Sequence, residues 1–268
     1  MEDEMLSISD SVAVITGGSG GIGKALAEYW LSKGGKVINA DVAEEALRAT
    51  EQELKKISTN IASIVCDVTS EVDNARLASF AMERFGAINL IAPFAGITAD
   101  GLVIKTDRDT GKVSGKMALD KFQKVIDINL TGVFLTIREC VEQMINNDCR
   151  GLVCVVSSTG SLGTAGQLNY SSSKAAMSVF PKVLTAEFFR RNIADKVRCM
   201  AVAPGYVATP MVKNMDERMI AKIVEQVPIG RLIEPEEIVS IVAELYRNEA
   251  MAGETVFVHG GLRLGSKG

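Results

Sequence analysis

Three side chains in the second half of the sequence could together move a proton: Ser157, Tyr170 and Lys174. Tyr170 and Lys174 are four residues apart, so a helix beginning there would place the phenol and the ammonium on one face. A nearby cation favours phenolate, which predicts that the pKa of Tyr170 falls below its usual value of ~10. A serine hydroxyl close to that phenol could hold a carbonyl or alcohol oxygen. The Tyr-x-x-x-Lys spacing is common, however, and a polar helix start with a surface lysine has the same letters.

The elements that must position these residues follow a regular alternation. Strands are predicted at 11–16, 36–40, 61–65, 88–92, 151–156, 197–202 and 254–258. Helices are predicted at 21–33, 43–57, 71–85, 119–146 (one long or two short helices), 170–190, 211–226 and 235–247. Strands alternating with helices indicate repeated βαβ units. They predict an α/β fold, a single Rossmann-type doubly wound parallel sheet with helices on both faces, formed by residues 1–268 as one domain.

A glycine-rich segment follows the first predicted strand and opens the first predicted helix. Residues 16–23 read TGGSGGIG. Glycines there let the backbone turn tightly and approach a pyrophosphate, which would lie at the N-terminus of the helix. The order of strand, turn and helix therefore predicts nucleotide binding. The expected contacts are Gly17, Ser19, Gly21, Ile22 and Gly23.

The same segment also contains Gly17-x-Ser19-x-Gly21, the pattern of a nucleophile elbow, and His259 follows it in the order that a serine hydrolase requires. Such an elbow normally follows several strands and an oxyanion loop, whereas only about sixteen residues precede this one. A hydrolase with Ser19 as its nucleophile is therefore a remote alternative.

Two aspartates close the second and third predicted strands. Asp41 lies 18 residues after Gly23, near the ~20 expected for a carboxylate that binds the adenosine ribose hydroxyls. A carboxylate there would repel a 2′-phosphate, which predicts NAD in preference to NADP. Asp67 occupies the corresponding place after the next strand and could contact the adenine. Capping of the following helix is the alternative for both residues.

Composition excludes several classes of protein. Of the 268 residues, 47% are apolar and 23% charged, and the net charge of −4 gives no basic surface for nucleic acid. No apolar run reaches the ~18 residues of a membrane span. His259 is the only histidine and the five cysteines form no CxxC pair, so we expect no metal site. The acidic N-terminus is unlike a secretory signal and suggests the cytoplasm.

Taken in order, the motifs resemble those of the short-chain dehydrogenase/reductase family, from about residue 11 to residue 261. The resemblance is nearest to the 3-oxoacyl-[acyl-carrier-protein] reductase-like branch. The matching motifs are TGGSGGIG, Asp67-Val68, Ala95-Gly96, Asn129 in DINLTGVF, Ser157-x-x-Gly160, Tyr170-x-x-x-Lys174 and Pro204-Gly205-x-Val207-x-Thr209.

The resemblance implies an NAD(P)-dependent oxidoreductase that transfers a hydride between a nicotinamide cofactor and a secondary alcohol or ketone. Tyr170 would be the general acid or base, and Lys174 would lower its pKa and bind the nicotinamide ribose. Ser157, thirteen residues before the tyrosine, would bind the substrate oxygen, with Ser158 as the alternative. Asn129 would hold a water in a proton relay to Lys174, although it could also be a helix amide bonded to backbone.

The same resemblance assigns the remaining cofactor contacts. Besides Tyr170 and Lys174 they are Asp67, Val68, Ala95, Gly96, Pro204, Gly205, Val207 and Thr209. With Asp41, this favours NAD and a small or medium secondary alcohol, and an NADPH-linked 3-oxoacyl-[acyl-carrier-protein] reductase is the alternative. Relatives usually assemble through two long helices, so a homotetramer or homodimer is expected.

Two segments depart from the family pattern. The usual Asn-Asn-Ala-Gly after the fourth strand is replaced by Pro93-Phe94-Ala95-Gly96, which removes two side-chain amides. Residues 98–117 are about ten longer than expected for this connection. Their sequence indicates an inserted hairpin-like loop, interpreted as a surface excursion in preference to a substrate gate.

Overall fold

The computed structural model describes residues 6–262, apart from the side chains at positions 211 and 213. Part of the acidic N-terminus, on which the expected location depends, lies outside these residues. Within them, every helix is too short or too polar to cross a membrane.

Seven strands form one parallel sheet, which confirms the predicted doubly wound fold. Its strands are β1 (Val12–Thr16), β2 (Lys36–Asp41), β3 (Ile61–Val65), β4 (Leu90–Pro93), β7 (Gly151–Val156), β8 (Val197–Pro204) and β9 (Thr255–Val258). Two further strands, β5 (Ile104–Thr106) and β6 (Val113–Lys116), lie outside this sheet. The sheet order is β3-β2-β1-β4-β7-β8-β9. Thr16 at the end of β1 is opposite Ala40 on one side and Pro93 on the other. The chain therefore reverses its direction of travel across the sheet between β1 and β4.

Helices cover both faces of this sheet. They are α1 (Gly21–Ser32), α2 (Glu44–Leu54), α3 (Glu71–Phe85), α4 (Leu119–Ile126), α5 (Val133–Asn146), α6 (Leu168–Arg190), α7 (Pro210–Lys213), α8 (Glu217–Val224) and α9 (Pro235–Arg247). On one face, Trp30 of α1 packs edge-on against Tyr246 of α9, with ring centroids 4.9 Å apart. On the other face, Leu77, Met144 and Met177 are fully buried. Burial on this scale contributes about 1.5–3 kcal/mol for each large apolar side chain.

The stretch predicted as one long or two short helices is continuous, but its middle is not α-helical. One turn of π-helix, Asp127–Gly132, joins α4 to α5. Asn129 is in this turn and is fully buried. A π-turn widens a helix by one residue and is frequent at functional sites.

Within residues 98–117, β5 and β6 form a separate antiparallel ribbon. The side chains of Ile104 and Val113 are 48% and 58% exposed, so neither strand is packed into the core. The turn between the strands contains Gly111 at a φ of +68°, a conformation that favours glycine. The ribbon is therefore a surface element, with its base close to the carboxyl edge of the sheet.

Candidate active site

A cleft opens at the carboxyl edge of the sheet, at the point where the chain leaves β1 towards β2 on one side and leaves β4 towards β7 on the other. Such switch points are where open α/β sheets bind their ligands. The cleft is lined by the glycine segment, by the residues that follow β2, β3, β4, β7 and β8, and by Tyr170.

The glycine segment forms a cradle of backbone in which Gly21 and Gly23 leave no room for a Cβ atom. A Cβ on Gly21 would lie 2.5 Å from Cγ2 of Thr209, and one on Gly23 would lie 2.4 Å from the carbonyl oxygen of Gly17. Gly17 itself has a φ of +66°, and its backbone lies against Ala95. This close approach at the start of α1 matches what a pyrophosphate needs from the backbone.

Asp41 lies beside this cradle. Its carboxylate accepts the backbone N–H of Ser19 at 3.1 Å through Oδ2 and that of Ala43 at 3.1 Å through Oδ1. The bond from Ala43 is the one expected if Asp41 caps the following helix. The bond from Ser19 is not explained by capping, because it holds the carboxylate against the glycine segment. The Ser19 hydroxyl is buried and has no hydrogen-bond partner among the described residues, so a bound group that brings an acceptor or donor would satisfy it.

The arrangement of Ser19 and His259 does not support a serine hydrolase. Nδ1 of His259 accepts the backbone N–H of Gly261 at 3.1 Å. With one histidine in the sequence and the Ser19 hydroxyl unpartnered in the described residues, the described chain forms no serine–histidine pair.

Tyr170 and Lys174 lie in the first turns of α6, as their spacing predicts. The ammonium of Lys174 is 5.7 Å from the centre of the Tyr170 ring, and it donates to the carbonyl of Val156 at 2.9 Å. A Cβ on Gly96 would lie 3.9 Å from Nζ of Lys174. Burial lowers the pKa of Lys174 to about 8.

The predicted direction of the Tyr170 shift is wrong in this structure. Burial raises the pKa of the phenol above 10, a hydrogen bond from the Ser158 side chain lowers it, and the negative charge of Asp100 raises it. The prediction considered the neighbouring cation alone. Loss of hydration disfavours the charged form of the phenol, and it is the largest of the effects on this pKa.

The Ser157 hydroxyl is bonded to groups on α6, an arrangement that does not support its predicted contact with the substrate oxygen. Its hydroxyl donates to the carbonyl of Lys174 at 2.8 Å and is 2.7 Å from the hydroxyl of Ser178. Both partners are on α6, and Ser157 is 1% exposed. The hydroxyl is therefore used inside the fold.

Ser158, the alternative, points into the cleft. A Cβ on Gly160 would lie 3.3 Å from Oγ of Ser158 and 3.3 Å from Cε1 of Tyr170, so the two side chains meet there. Ser158 also accepts the backbone N–H of Gly160 at 3.0 Å, which fixes its side chain. The serine and the phenol thus face the same small volume.

Asn129 holds the segment after β4 in place. Its Oδ1 accepts the backbone N–H of Ile97 at 2.8 Å, and its Nδ2 donates to the carbonyl of the same residue at 2.9 Å. Of the two interpretations of this residue, the structure shows the amide bonded to backbone, though to a different segment of the chain. The side chain also lies beside Gly96 and Ser173.

The other predicted cofactor contacts all line the cleft. They are Asp67, Val68, Ala95, Gly96, Pro204, Gly205, Val207 and Thr209. The carboxylate of Asp67 accepts the N–H and hydroxyl of Thr69, at 2.9 and 2.7 Å. In place of the usual asparagines, Pro93 ends β4 and Phe94 packs against the core on the α1 side.

Two further residues of the cleft have no signal in the sequence. Nε2 of Gln167 donates to Oδ2 of Asp100 at 2.8 Å, across 67 positions of sequence. The backbone N–H of Gly101 donates to the carbonyl of Gly166 at 2.7 Å beside them. Asp100 belongs to the insertion, and no spacing rule relates it to Tyr170. Within the described residues, no group of three histidine, cysteine or acidic side chains is arranged to hold a metal ion.

These residues fit a nicotinamide dinucleotide. The backbone cradle at α1 suits its pyrophosphate, the unpartnered Ser19 hydroxyl lies in that cradle, and a carboxylate stands at the end where a ribose would lie. At the other end of the cleft, Ser158 and Tyr170 are placed where a substrate oxygen could bind.

Comparison with known proteins agrees with this geometry. The sequence profile of a family described as short chain dehydrogenase matches residues 11–220. The 3-oxoacyl-[acyl-carrier-protein] reductase FabG of Salmonella typhimurium is 32% identical over 259 residues, which cover 96% of this chain and 99% of that protein. The enzyme with the same name from Thermotoga maritima is 30% identical with the same coverage.

A solved structure from Brucella melitensis, titled as a short-chain dehydrogenase/reductase SDR:Glucose/ribitol dehydrogenase, superposes with a TM-score of 0.83. It is 28% identical, and the match covers 97% of this chain and 98% of that one. The chain belongs to the short-chain dehydrogenase/reductase family and is an NAD(P)-dependent oxidoreductase that transfers a hydride between a nicotinamide cofactor and a secondary alcohol or ketone.

Proposed function

We propose that the protein is an NAD-preferring dehydrogenase of a small or medium secondary alcohol. The observation that carries the cofactor choice is the Asp41 carboxylate, held 3.1 Å from the N–H of Ser19 at the rim of the cradle. It can accept hydrogen bonds from ribose hydroxyls and would repel a 2′-phosphate. In the described part of the chain, the charged side chains lining the cleft are Asp41, Asp67 and Asp100, all of them acidic.

The proposed cofactor contacts follow the order of the cleft. Gly17, Ser19, Gly21, Ile22 and Gly23 would hold the pyrophosphate. Asp41 would hold the adenosine ribose, and Asp67 and Val68 would border the adenine. Ala95 and Gly96 would lie beneath the nicotinamide half, with Lys174 on its ribose. Pro204, Gly205, Val207 and Thr209 would border the nicotinamide, whose ring, when bound, accepts the hydride in oxidation and supplies it in reduction.

The proton moves through Tyr170. In ketone reduction, the substrate oxygen receives hydrogen bonds from Ser158 and Tyr170 and then the phenolic proton. A phenol with a raised pKa is fully protonated at neutral pH, so it is ready to act as this acid. In alcohol oxidation, the phenolate takes the proton from the alcohol. The Ser158 hydrogen bond stabilises that phenolate.

Asn129 would support the proton relay to Lys174 by positioning the backbone beside it. Its amide holds Ile97 by two hydrogen bonds, which keeps Gly96 against Lys174. We propose that a water on this side of Lys174 returns the proton to solvent. The lowered pKa of Lys174, about 8, suits a group that exchanges protons near neutrality.

A second candidate is an NADPH-linked 3-oxoacyl-[acyl-carrier-protein] reductase. It is favoured by the names of the relatives that match this chain over almost its whole length. It differs from the first candidate in both the nucleotide and the substrate, so one set of assays separates them.

The test is a paired fluorescence titration with NADH and NADPH, followed by turnover of secondary alcohols and of an acetoacetyl thioester. We expect NADH to bind more tightly and simple alcohols or ketones to turn over with NAD or NADH. Tyr170→Phe should bind NADH normally and lose turnover. Faster reduction of the thioester with NADPH than of any simple ketone with NADH would favour the reductase candidate.

We also propose that the protein forms a homotetramer or homodimer through α5 and α6. An apolar groove runs between these helices, and Phe134, Val179 and Val183 on its walls are about half exposed. Val183→Glu should lower the mass measured by light scattering, whereas Lys182→Glu, next to the groove, should not. Equal masses for both variants would contradict this interface.

A further inference from the structure

The base of the inserted ribbon forms part of the wall of the active site. The segment 99–101 is attached at three points to the residues just before Tyr170. Nδ2 of Asn169 donates to the carbonyl of Ala99 at 2.9 Å, and the N–H of Gly101 donates to the carbonyl of Gly166 at 2.7 Å. Asp100 itself pairs with Gln167. Asn169 is fully buried, and its Oδ1 accepts the N–H of Tyr170 at 2.9 Å, so the wall and the phenol share one support.

The carboxylate of Asp100 determines which way the Gln167 amide points. An ionised carboxylate only accepts hydrogen bonds, so it must face the NH₂ end of the amide. The carbonyl end, Oε1, then lies on the other side. A Cβ on Gly160 would be 3.6 Å from this Oε1, and 3.3 Å from both Oγ of Ser158 and Cε1 of Tyr170. The amide oxygen therefore lies next to the pair that would bind the reacting oxygen.

The charge of Asp100 also acts at this place. It raises the pKa of Tyr170, so the carboxylate is close enough for its field to reach the phenol. The nearby Lys121 ammonium donates to the backbone carbonyl of Asp100 and is not paired with its carboxylate. Asp100 is exposed but lines the cleft, so a second carboxylate brought in by a substrate would meet its charge there and be repelled.

We propose that Asp100, acting partly through Gln167, selects substrates with a hydroxyl on the carbon next to the reacting carbonyl and rejects substrates with a carboxylate there. Gln167 Oε1 accepts the hydrogen bond of the substrate hydroxyl. Asp100 is the positioning residue for that acceptor and the source of the charge that excludes the acid. This inference rests on the proposed function, because it takes Ser158 and Tyr170 as the site of the reacting oxygen.

Three ketones that differ only at C1 test both parts: butan-2-one, 1-hydroxybutan-2-one and 2-oxobutanoate. Each is reduced with NADH, and kcat and KM are measured separately. In the wild type we expect kcat/KM for the hydroxyketone to exceed that for butan-2-one about tenfold, mostly through KM, as one hydrogen bond predicts. The oxoacid should be at least about tenfold poorer than butan-2-one, a factor that corresponds to the repulsion of two close charges.

Three variants separate the orientation of the Gln167 amide from the charge of Asp100. Asp100→Asn can still accept from Gln167 but has no charge, so the hydroxyl preference should remain while the penalty on the oxoacid shrinks about tenfold. Asp100→Ala removes both the acceptor for Gln167 and the charge. The kcat/KM values for the hydroxyketone and for the oxoacid should therefore both approach the value for butan-2-one. Gln167→Ala should lose the hydroxyl preference and keep the penalty on the oxoacid. Asp109→Asn, an exposed acid on the same ribbon, is the matched control and should keep both ratios.

Other outcomes overturn the inference in distinguishable ways. If Tyr170→Phe still reduces the ketones, the proposed function itself fails. If Tyr170→Phe is inactive while both Asp100 variants keep the wild-type ratios, this inference alone fails. Absence of turnover with all three ketones, in a protein that reduces other ketones, would refute the substrate class.

Discussion

Exchange of the two adjacent serines for alanine gives opposite results if their side chains lie as described. Ser157→Ala removes a buried hydrogen bond to the Lys174 carbonyl at 2.8 Å and a part-buried one to the Ser178 hydroxyl at 2.7 Å. The expected cost is about 2 kcal/mol in the free energy of unfolding. For a chain of this size, that lowers Tm by about 4–8 °C. Because this hydroxyl is already bonded to two groups on α6, kcat should fall less than about threefold.

Ser158→Ala should do the reverse. Its hydroxyl is half-buried and accepts one backbone N–H, so Tm should change by only about 1–2 °C. Loss of one donor to the substrate oxygen should lower kcat by about 10²–10³-fold. Calorimetry and steady-state kinetics on the two variants provide the assay. If Ser157→Ala were inactive with a normal Tm, and Ser158→Ala were active, Ser158 would not be the serine that binds the substrate oxygen. Ser157, thirteen residues before Tyr170, would then have that role.

Three further outcomes follow from the cleft and the fold. Asp41→Ser should weaken NADH binding and narrow the preference over NADPH at least about tenfold, measured by fluorescence titration; an unchanged ratio would show that Asp41 does not face the ribose. Lys174 has a pKa of about 8 when folded against 10.5 unfolded. Its burial penalty is therefore present below pH 8 and is relieved as pH rises. Relative to Lys174→Met, the wild type should gain about 2–3 kcal/mol of stability between pH 8 and pH 10 in denaturant titrations, and a constant difference would contradict the lowered pKa. Replacing residues 107–112 by a two-residue turn should leave KM for every substrate within about twofold, because the ribbon beyond its base does not line the cleft; a substrate-dependent change would instead indicate gating.

The sequence predictions whose geometry the structure reproduces concern residues that are close together in the chain. The glycine segment and Asp41 follow from a turn between a strand and a helix, and Tyr170 and Lys174 share a helix face because they are four residues apart. Such relations depend on backbone geometry alone. These relations hold within one helix, or within one strand and the helix after it.

Two local rules disagree on which serine faces Tyr170. Counting thirteen residues back from Tyr170 gives Ser157. Counting along β7 gives Ser158, since alternation puts Val153 and Val155 on one face and Ser157 on the same side, towards α6. The structure follows the alternation along β7, because packing of the sheet fixes which side chains point to each face. The loop between Ser158 and Tyr170 can vary in length, so a count along it is less reliable.

The remaining differences depend on long-range structure. The raised pKa of Tyr170 comes from burial by surrounding elements, which neighbouring letters do not specify. Similarly, the contact between Asp100 and Gln167 depends on how an insertion folds back onto the cleft. Residues so far apart in the chain meet only through tertiary packing.

The π-turn between α4 and α5 has a consequence for the spacing of residues along the chain. A turn of this kind contains one residue more than an α-helix needs for the same advance, so it absorbs an insertion while the helices on either side keep their orientation. Removing one residue within Asp127–Gly132 should therefore leave the buried faces of α4 and α5 in phase. Removing one residue from the middle of α5 would instead rotate all that follows by about 100° and point its apolar face towards solvent. Relatives that differ in length by one residue should carry the difference at this turn.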